Sequence, residues 1–170
     1  MSAYQANLFD SDVRVLAEDA EGGIVYRPNM VEATKAQHWF EALRDGIAWQ
    51  AQRRPMYDRV VDVPRLTAAF RLASDNLPAP LAEAAAFVRT YTGEPFNAVG
   101  LNYYRDGRDS VASHNGKLHI LVPHHPIALL SLGAPRRMTI RTKQVSWTPI
   151  RIDLEPGSLL MMSYDSQLHY

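Results

Sequence analysis

The chain changes character at Gly93, and this change limits its fold more than any other feature. Before Gly93 lie two segments with helical spacing. After it come short β-branched or aromatic runs, Asn97–Tyr104, Ile127–Leu132, Met138–Thr142, Ile150–Leu154 and Leu159–Ser163, separated by turn residues. Ile150, Ile152 and Leu154 alternate with Arg151, Asp153 and Glu155, the pattern of a strand with one buried and one wet face. Glu155-Pro156-Gly157-Ser158 supplies a turn between two of these runs. Helices first and strands afterwards predict an α+β chain whose strands form a sandwich or jelly-roll barrel.

The N-terminal half is read from its own punctuation. A short strand is predicted at Gly23–Tyr26, within an otherwise loosely patterned first thirty residues. Val31–Gly46 reads as a helix, with Trp39 or Phe40, Leu43 and Ile47 at helical spacing. Gln52–Phe70, where Arg53, Arg54, Arg59 and Arg65 are interrupted by Pro55 and Pro64, reads as a surface loop or short hairpin. Pro80–Thr92 is a second helix with apolar Leu81, Ala84, Ala85 and Val88, and Gly93 stands just past its end.

Composition narrows the chemistry. The 170 residues include no Cys, which removes disulfides, thiolate metal sites and cysteine nucleophiles. Eighteen basic residues balance eighteen acidic ones, so nucleic acid would be met by a local basic patch rather than a uniformly basic surface. No apolar run approaches the roughly 20 residues of a membrane helix, and Met1-Ser2-Ala3-Tyr4-Gln5 carries no secretory pattern. A single soluble cytoplasmic domain over residues 1–170, with no membrane partner, is the expectation.

Four of the six His fall between positions 114 and 125. His124-His125-Pro126 reads as a polar loop before a buried strand. His119 says little alone. His114 precedes the turn dipeptide Asn115-Gly116 and stands where a strand end presents a metal ligand. Without Cys, a transition-metal site must use imidazole and carboxylate.

In combination these elements are more specific. Asn102-Tyr103-Tyr104, Gly107, Asp109, His114 and then Pro126-Ile127-Ala128-Leu129-Leu130-Ser131-Leu132-Gly133 resemble the AlkB family of iron(II)- and 2-oxoglutarate-dependent dioxygenases. Pro64-Arg65-Leu66-Thr67 is similar to the segment beside that family's nucleotide-recognition lid, and Glu155-Pro156-Gly157-Ser158-Leu159-Leu160-Met161-Met162 to its later Pro-Gly-(Asp/Ser)-Leu-Leu-x-Met strand. The resemblance covers roughly residues 55 to 170 and implies a double-stranded β-helix (jelly roll) with the N-terminal helices outside. It implies Fe(II) and 2-oxoglutarate as cofactors, and oxidative dealkylation of nucleobases in DNA repair as the activity. His114 would be the first iron ligand. Asn102 and Tyr104, two apart on a strand and so on one face, would contact 2-oxoglutarate. Arg65, Tyr57 and Arg54 would meet alkylated nucleic acid, within a rim that also includes Arg53 and Arg59.

The resemblance has two departures. Gly116 occupies the position of the carboxylate iron ligand, and Asn115 points to the other face of a strand. The family's second iron His and its arginine-bearing strand would fall beyond Tyr170, with His169 the residue near enough to substitute. The chain is therefore expected to be an engineered, degenerate or C-terminally truncated member. An unpaired strand edge would favour self-association. Ile120 and an exposed Trp147 in a Val145–Thr148 hairpin tip are further irregularities. The alternative function is a non-catalytic jelly-roll scaffold without cofactor, binding a ligand or protein partner. A weaker alternative is a zinc site of His114, His119 and His169.

Overall fold

The computed structural model describes residues 12–56, 59–111, 121–143 and 148–170, with side chains of 54–61 outside the description. In chain order the elements are β1 (Arg14–Ala17), β2 (Ile24–Arg27), α1 (Ala33–Gly46), β3 (Gln50–Met56), β4 (Arg59–Arg71), α2 (Ala79–Thr92), β5 (Ala98–Tyr103), β6 (Ile127–Leu130), β7 (Arg136–Ile140), β8 (Ile150–Leu154), β9 (Leu159–Met162) and α3 (Tyr164–His169). They group into two compact units, one within Met1–Gln37 and Asn115–Tyr170, the other within His38–His114. The fold is thus mixed, with helices and antiparallel sheets, as the α+β expectation requires.

In the first unit a four-stranded antiparallel sheet runs β1-β2-β9-β6, and β7 and β8 form a separate antiparallel ribbon. Residues directly opposite in an antiparallel pair share a face. Tyr26 and Leu129 both stand opposite Leu160, and Ile24 and Ile127 opposite Met162, so one face of the sheet is apolar. Ile24, Tyr26, Leu160 and Met162 cluster with Ile140, Ile152 and Leu154 of the ribbon, and the alternation read at Ile150–Leu154 is the observed one. The buried Tyr26 hydroxyl accepts the Glu155 amide at 3.2 Å, which satisfies its polar tip.

The turn after β8 depends on glycine. Gly157 has φ +73°, and a Cβ there would lie 2.5 Å from the Val31 carbonyl oxygen. Its own carbonyl accepts the amides of Met30 and Val31 at 2.9 and 3.0 Å, so this close approach joins the turn to the segment before α1. Ser158 closes the turn on the Glu155 carbonyl at 3.1 Å.

The second unit holds most of α1, the sheet β3-β4-β5 and α2. Trp39 of α1 is fully buried, packs on Phe87 of α2 with ring centroids 6.3 Å apart, and donates its indole N–H to Glu83 at 3.0 Å. Tyr103 of β5 meets Phe40 and Trp49, at 6.4 and 5.3 Å between centroids. By the period-two rule Val99 and Leu101 share the face of Tyr103, while Ala98, Gly100 and Asn102 point the other way. Gly93 ends α2 in the left-handed conformation, its amide donating to Arg89.

Three differences from the sequence reading have physical causes. Of the loop or short hairpin expected over 52–70 the hairpin is the observed form, but its second strand, β4, is thirteen residues long. The register passes from Ala51↔Leu66 to Arg53↔Asp62, so Val63, Pro64 and Arg65 stand against Gln52. That bulge accommodates Pro64, which cannot donate to a ladder, and the Pro64 carbonyl instead accepts the Ser110 amide at 2.7 Å. β1 and α3 also exist where no regular element was expected. The Val145–Trp147 tip and Ile120 lie outside the described residues.

Candidate functional site

The register of the second unit brings together side chains that lie far apart in sequence. Asn102 stands directly opposite Thr67, on the face of the sheet turned away from Tyr103. Gln52 donates its amide N–H to the Thr67 hydroxyl at 3.2 Å. The same ladder ends on the pair Leu66↔Tyr103, with Arg65 the neighbouring residue of β4 and Tyr104 the residue after β5. Asn102 is exposed, while Thr67, Arg65 and Tyr104 are half-buried. The Arg65 Nε–H is buried and meets no acceptor among the described residues. A guanidinium N–H in that position is a donor in want of an anion, because an unmet buried donor costs about 1–3 kcal/mol. Amide and hydroxyl groups thus face each other at Asn102 and Thr67, and β4 also carries the Arg65 guanidinium, group types suited to carboxylate or phosphate oxygens.

The loop that follows is held by its own carboxylates. Asp109, buried, accepts the Arg105 amide at 2.9 Å and grips the Arg105 guanidinium at 2.8 and 2.9 Å. The Asp109 carboxylate raises the already high pKa of Arg105. Asp106 accepts the amides of Arg108 and Asp109 and pairs with the Arg108 side chain. Asp109 is thus engaged in closing this loop, which leaves it unsuited to replace the carboxylate that Gly116 lacks.

Of the imidazoles, His114 and His119 lie outside the described residues, as does Tyr57. Arg54 lies in β3 opposite Val61. His169, in the last turn of α3, has a side chain 59% exposed, and its Nδ1 sits 2.9 Å from the Asp165 carbonyl oxygen. A carbonyl only accepts, so Nδ1 carries the proton and a neutral ring keeps its Nε2 lone pair for a metal. This donor chemistry fits the imidazole half of a two-His-one-carboxylate iron centre. Among the described residues no cluster of three or more His, Asp and Glu is placed to hold a metal. His124 lies in an exposed turn, as its loop reading anticipated. Arg53 of the basic rim pairs with Asp62 at 3.0 Å.

The reading from sequence missed the surroundings of α3. Asp19 and Glu21 in the β1–β2 turn and Lys143 after β7 all bond to that helix. The available signal was Ser163 followed three residues on by Ser166, a helix-start pattern with a hydroxyl cap.

Residues 71–170 match the family model described as the 2OG-Fe(II) oxygenase superfamily, and the chain belongs to that superfamily, whose members are named for iron(II) and 2-oxoglutarate. Within it the chain is AlkB-like. It is 36% identical over 86 residues to the DNA oxidative demethylase ALKBH2 of Homo sapiens, an alignment covering 46% of this chain and 33% of that protein. With the ALKBH2 of Bos taurus it shares 34% identity over 90 residues, covering 49% of this chain and 32% of the relative. It is 28% identical over 159 residues to the Alpha-ketoglutarate-dependent dioxygenase alkB homolog 3 of Rattus norvegicus, covering 82% of this chain and 54% of that one. The chain thus spans between about a third and about half of the curated relatives it matches. Among the described residues no helix is long and apolar enough to cross a membrane.

Proposed function

We propose that this chain is an AlkB-like Fe(II)/2-oxoglutarate dioxygenase that dealkylates nucleobases oxidatively, acting in the cytoplasm as a single catalytic domain of jelly-roll type. The observation that supports this reading is the pairing of Asn102 with Thr67, one step from the end of a ladder that closes on Leu66 and Tyr103. Asn102, assigned to 2-oxoglutarate, lies in that ladder, and Tyr104 and Arg65, assigned to 2-oxoglutarate and nucleic acid, directly follow and precede its last pair in sequence. Both ALKBH2 and the alkB homolog 3 carry dioxygenase or demethylase names, which favours the enzyme over a non-catalytic scaffold.

His114 and His169 would supply imidazole nitrogens to iron(II). When bound, iron(II) with 2-oxoglutarate and dioxygen would supply the oxidation of an N-alkyl carbon, 2-oxoglutarate being decarboxylated to succinate and the alkyl carbon leaving as an aldehyde. The chain's own residues do the rest. Asn102 and Tyr104 bind and orient the 2-oxoglutarate oxygens, and Arg54, Tyr57 and Arg65 hold the alkylated strand by phosphate contact and base stacking. A target base in a duplex would have to be flipped out of the stack to reach them. An unpaired sheet edge remains the route we assign to any self-association.

Anaerobic titration of the metal-free protein with iron(II) and 2-oxoglutarate tests this directly. A saturable visible charge-transfer band near one equivalent is the expected result, followed by aldehyde release from N-methylated oligonucleotides. No band, with a thermal transition that neither ligand moves, would leave the scaffold alternative in its place.

A further inference from the structure

The β7–β8 ribbon divides its two faces between two tasks. Ile140, Ile152 and Leu154 belong to the core of the first unit, with Met138 and Ile150 packed against it. The opposite face is wet. There the ladder sets Arg137 opposite Asp153 and Thr139 opposite Arg151, and all four residues are exposed. Arg141, also exposed, follows the last pair, Ile140↔Ile150. The acids lie towards the other end, at Asp153 and at the exposed Glu155 that follows Leu154. One end of the face is therefore charge-matched and the other is basic.

The cations of the ribbon differ in how they are engaged. Asp153 grips Arg137 at two points, accepting its Nε–H at 2.8 Å and an Nη2–H at 3.0 Å. Lys143 turns its ammonium to the carbonyls of Gln167 and Leu168, at 3.0 and 2.7 Å. Arg151 and Arg141 meet no carboxylate among the described residues, whereas Arg44, Arg53, Arg105 and Arg108 each do. Directly opposite Arg151 stands Thr139, and such pairs are separated by about 5 Å between Cβ atoms. A guanidinium beside a hydroxyl, both open to water, suits the oxygens of a phosphate diester, which the planar fork can meet bidentately.

The chain carries as many basic residues as acidic ones, so attraction to a polyanion must arise locally. We propose that the wet face of β7–β8 is a contact surface for the sugar–phosphate backbone of nucleic acid. Arg151 and Arg141 meet phosphate oxygens, Thr139 donates its hydroxyl to one of them, and Asp153 keeps Arg137 out of the contact. No base edge is read, so the contact is independent of sequence. The surface lies in the first unit, whereas Arg54 and Arg65 lie in the second. It rests on the nucleic-acid partner of the reading above, and on neither iron nor 2-oxoglutarate.

The test is fluorescence anisotropy of the full chain with labelled, unmodified DNA, single-stranded and duplex, in EDTA and across a salt series. Arg151→Gln is expected to weaken binding about fivefold near 0.1 M salt and to lower the slope of log K against log salt by about 1. Asp153→Asn frees Arg137 and should tighten binding about fivefold, with a slope steeper by about 1. The double variant Arg137→Gln/Asp153→Asn removes a matched pair and should change affinity less than about twofold. All these positions are exposed, so the melting curves should stay close to that of the wild type. DNA binding that Arg151→Gln leaves unchanged in affinity and slope overturns the ribbon contact and leaves the nucleic-acid reading to the second unit. A double variant that loses as much as Arg151→Gln overturns the role given to Asp153. A labelled polyglutamate bound as tightly as DNA overturns the phosphate assignment. A wild-type chain that binds neither form of DNA overturns the nucleic-acid reading and this surface together, an outcome distinct from the other three.

Discussion

Thr67 and Asn102 face each other across β4 and β5, on the side of the sheet opposite Tyr103. One flank of the sheet packs aromatic rings and the other carries the polar groups assigned to a small anion. The separation follows from strand alternation: Leu101 and Tyr103 face one way, Gly100 and Asn102 the other. A substitution at Asn102 should therefore leave the packed side untouched.

Asn102→Ala is expected to weaken 2-oxoglutarate binding roughly tenfold or more, since a hydrogen bond to a charged group contributes about 1.5–3 kcal/mol. The thermal midpoint should move little, because Asn102 is exposed. Calorimetric titration beside a melting curve separates the two effects. A midpoint drop that matches the affinity loss would assign Asn102 a structural role instead.

Much of this was legible in the sequence because the signals were local. Gly157 in Glu155–Ser158, Gly93 after Thr92, and the alternation Ile150-Ile152-Leu154 each act within a few residues, and each stands as read. A hairpin at 52–70 was one of two readings, but the length of β4 was not legible because a bulge cancels the local message of Pro64, and a bulge is a property of two strands. α3 was hidden for a related reason. Its N-cap, Ser163, is local, but the groups that hold it come from afar: Asp19, 144 residues before Ser163, and Lys143. The candidate site divides in the same way: the family resemblance pointed to Asn102 and Tyr104, but only the ladder sets Thr67 opposite Asn102.

Trp39 should dominate the stability of the second unit. It is fully buried against Phe87, and Glu83 accepts its indole N–H. Trp39→Ala is expected to cost about 3–5 kcal/mol, the range for removing a large buried aromatic. Trp39→Phe should cost less, retaining ring packing but leaving Glu83 without its donor. Urea denaturation followed by far-ultraviolet circular dichroism gives both values, and equal costs would mean that the Glu83 bond, rather than packing, dominates.

Gly157→Ala probes the turn that reaches Val31. The substitution forces a side chain into a left-handed residue, at a cost of about 1–2 kcal/mol, and brings its Cβ to 2.5 Å from the Val31 carbonyl. The segment before α1 must then move, loosening the bonds from Met30 and Val31 to the Gly157 carbonyl. A lower melting temperature with faster amide exchange at Met30 and Val31 is expected. Unchanged exchange at those two amides would show that the turn relaxes without disturbing its neighbour.

Acid should unfold the first unit partly through Asp19. Burial alone would raise its pKa, but the hydroxyls of Ser163 and Ser166 and the amides of Glu21 and Gly23 outweigh burial and hold it down at about 2, against an ordinary 3.8. A folded pKa below the unfolded one means that the ionised carboxylate stabilises the native state. That contribution is present in full above about pH 4 and is lost as the pH falls towards 2, amounting to at most about 2 kcal/mol. Glu21, lowered by its hydrogen bonds to His124 and the Asp165 amide, adds in the same direction. Asp19→Asn should therefore reduce stability at pH 7 and flatten the loss between pH 4 and 2, because an amide has no proton to gain there. Denaturant midpoints measured from pH 2 to 7 for the wild type and the variant give the comparison. Parallel curves would assign the acid sensitivity to other carboxylates and leave Asp19 a hydrogen-bonding role without a titrating one.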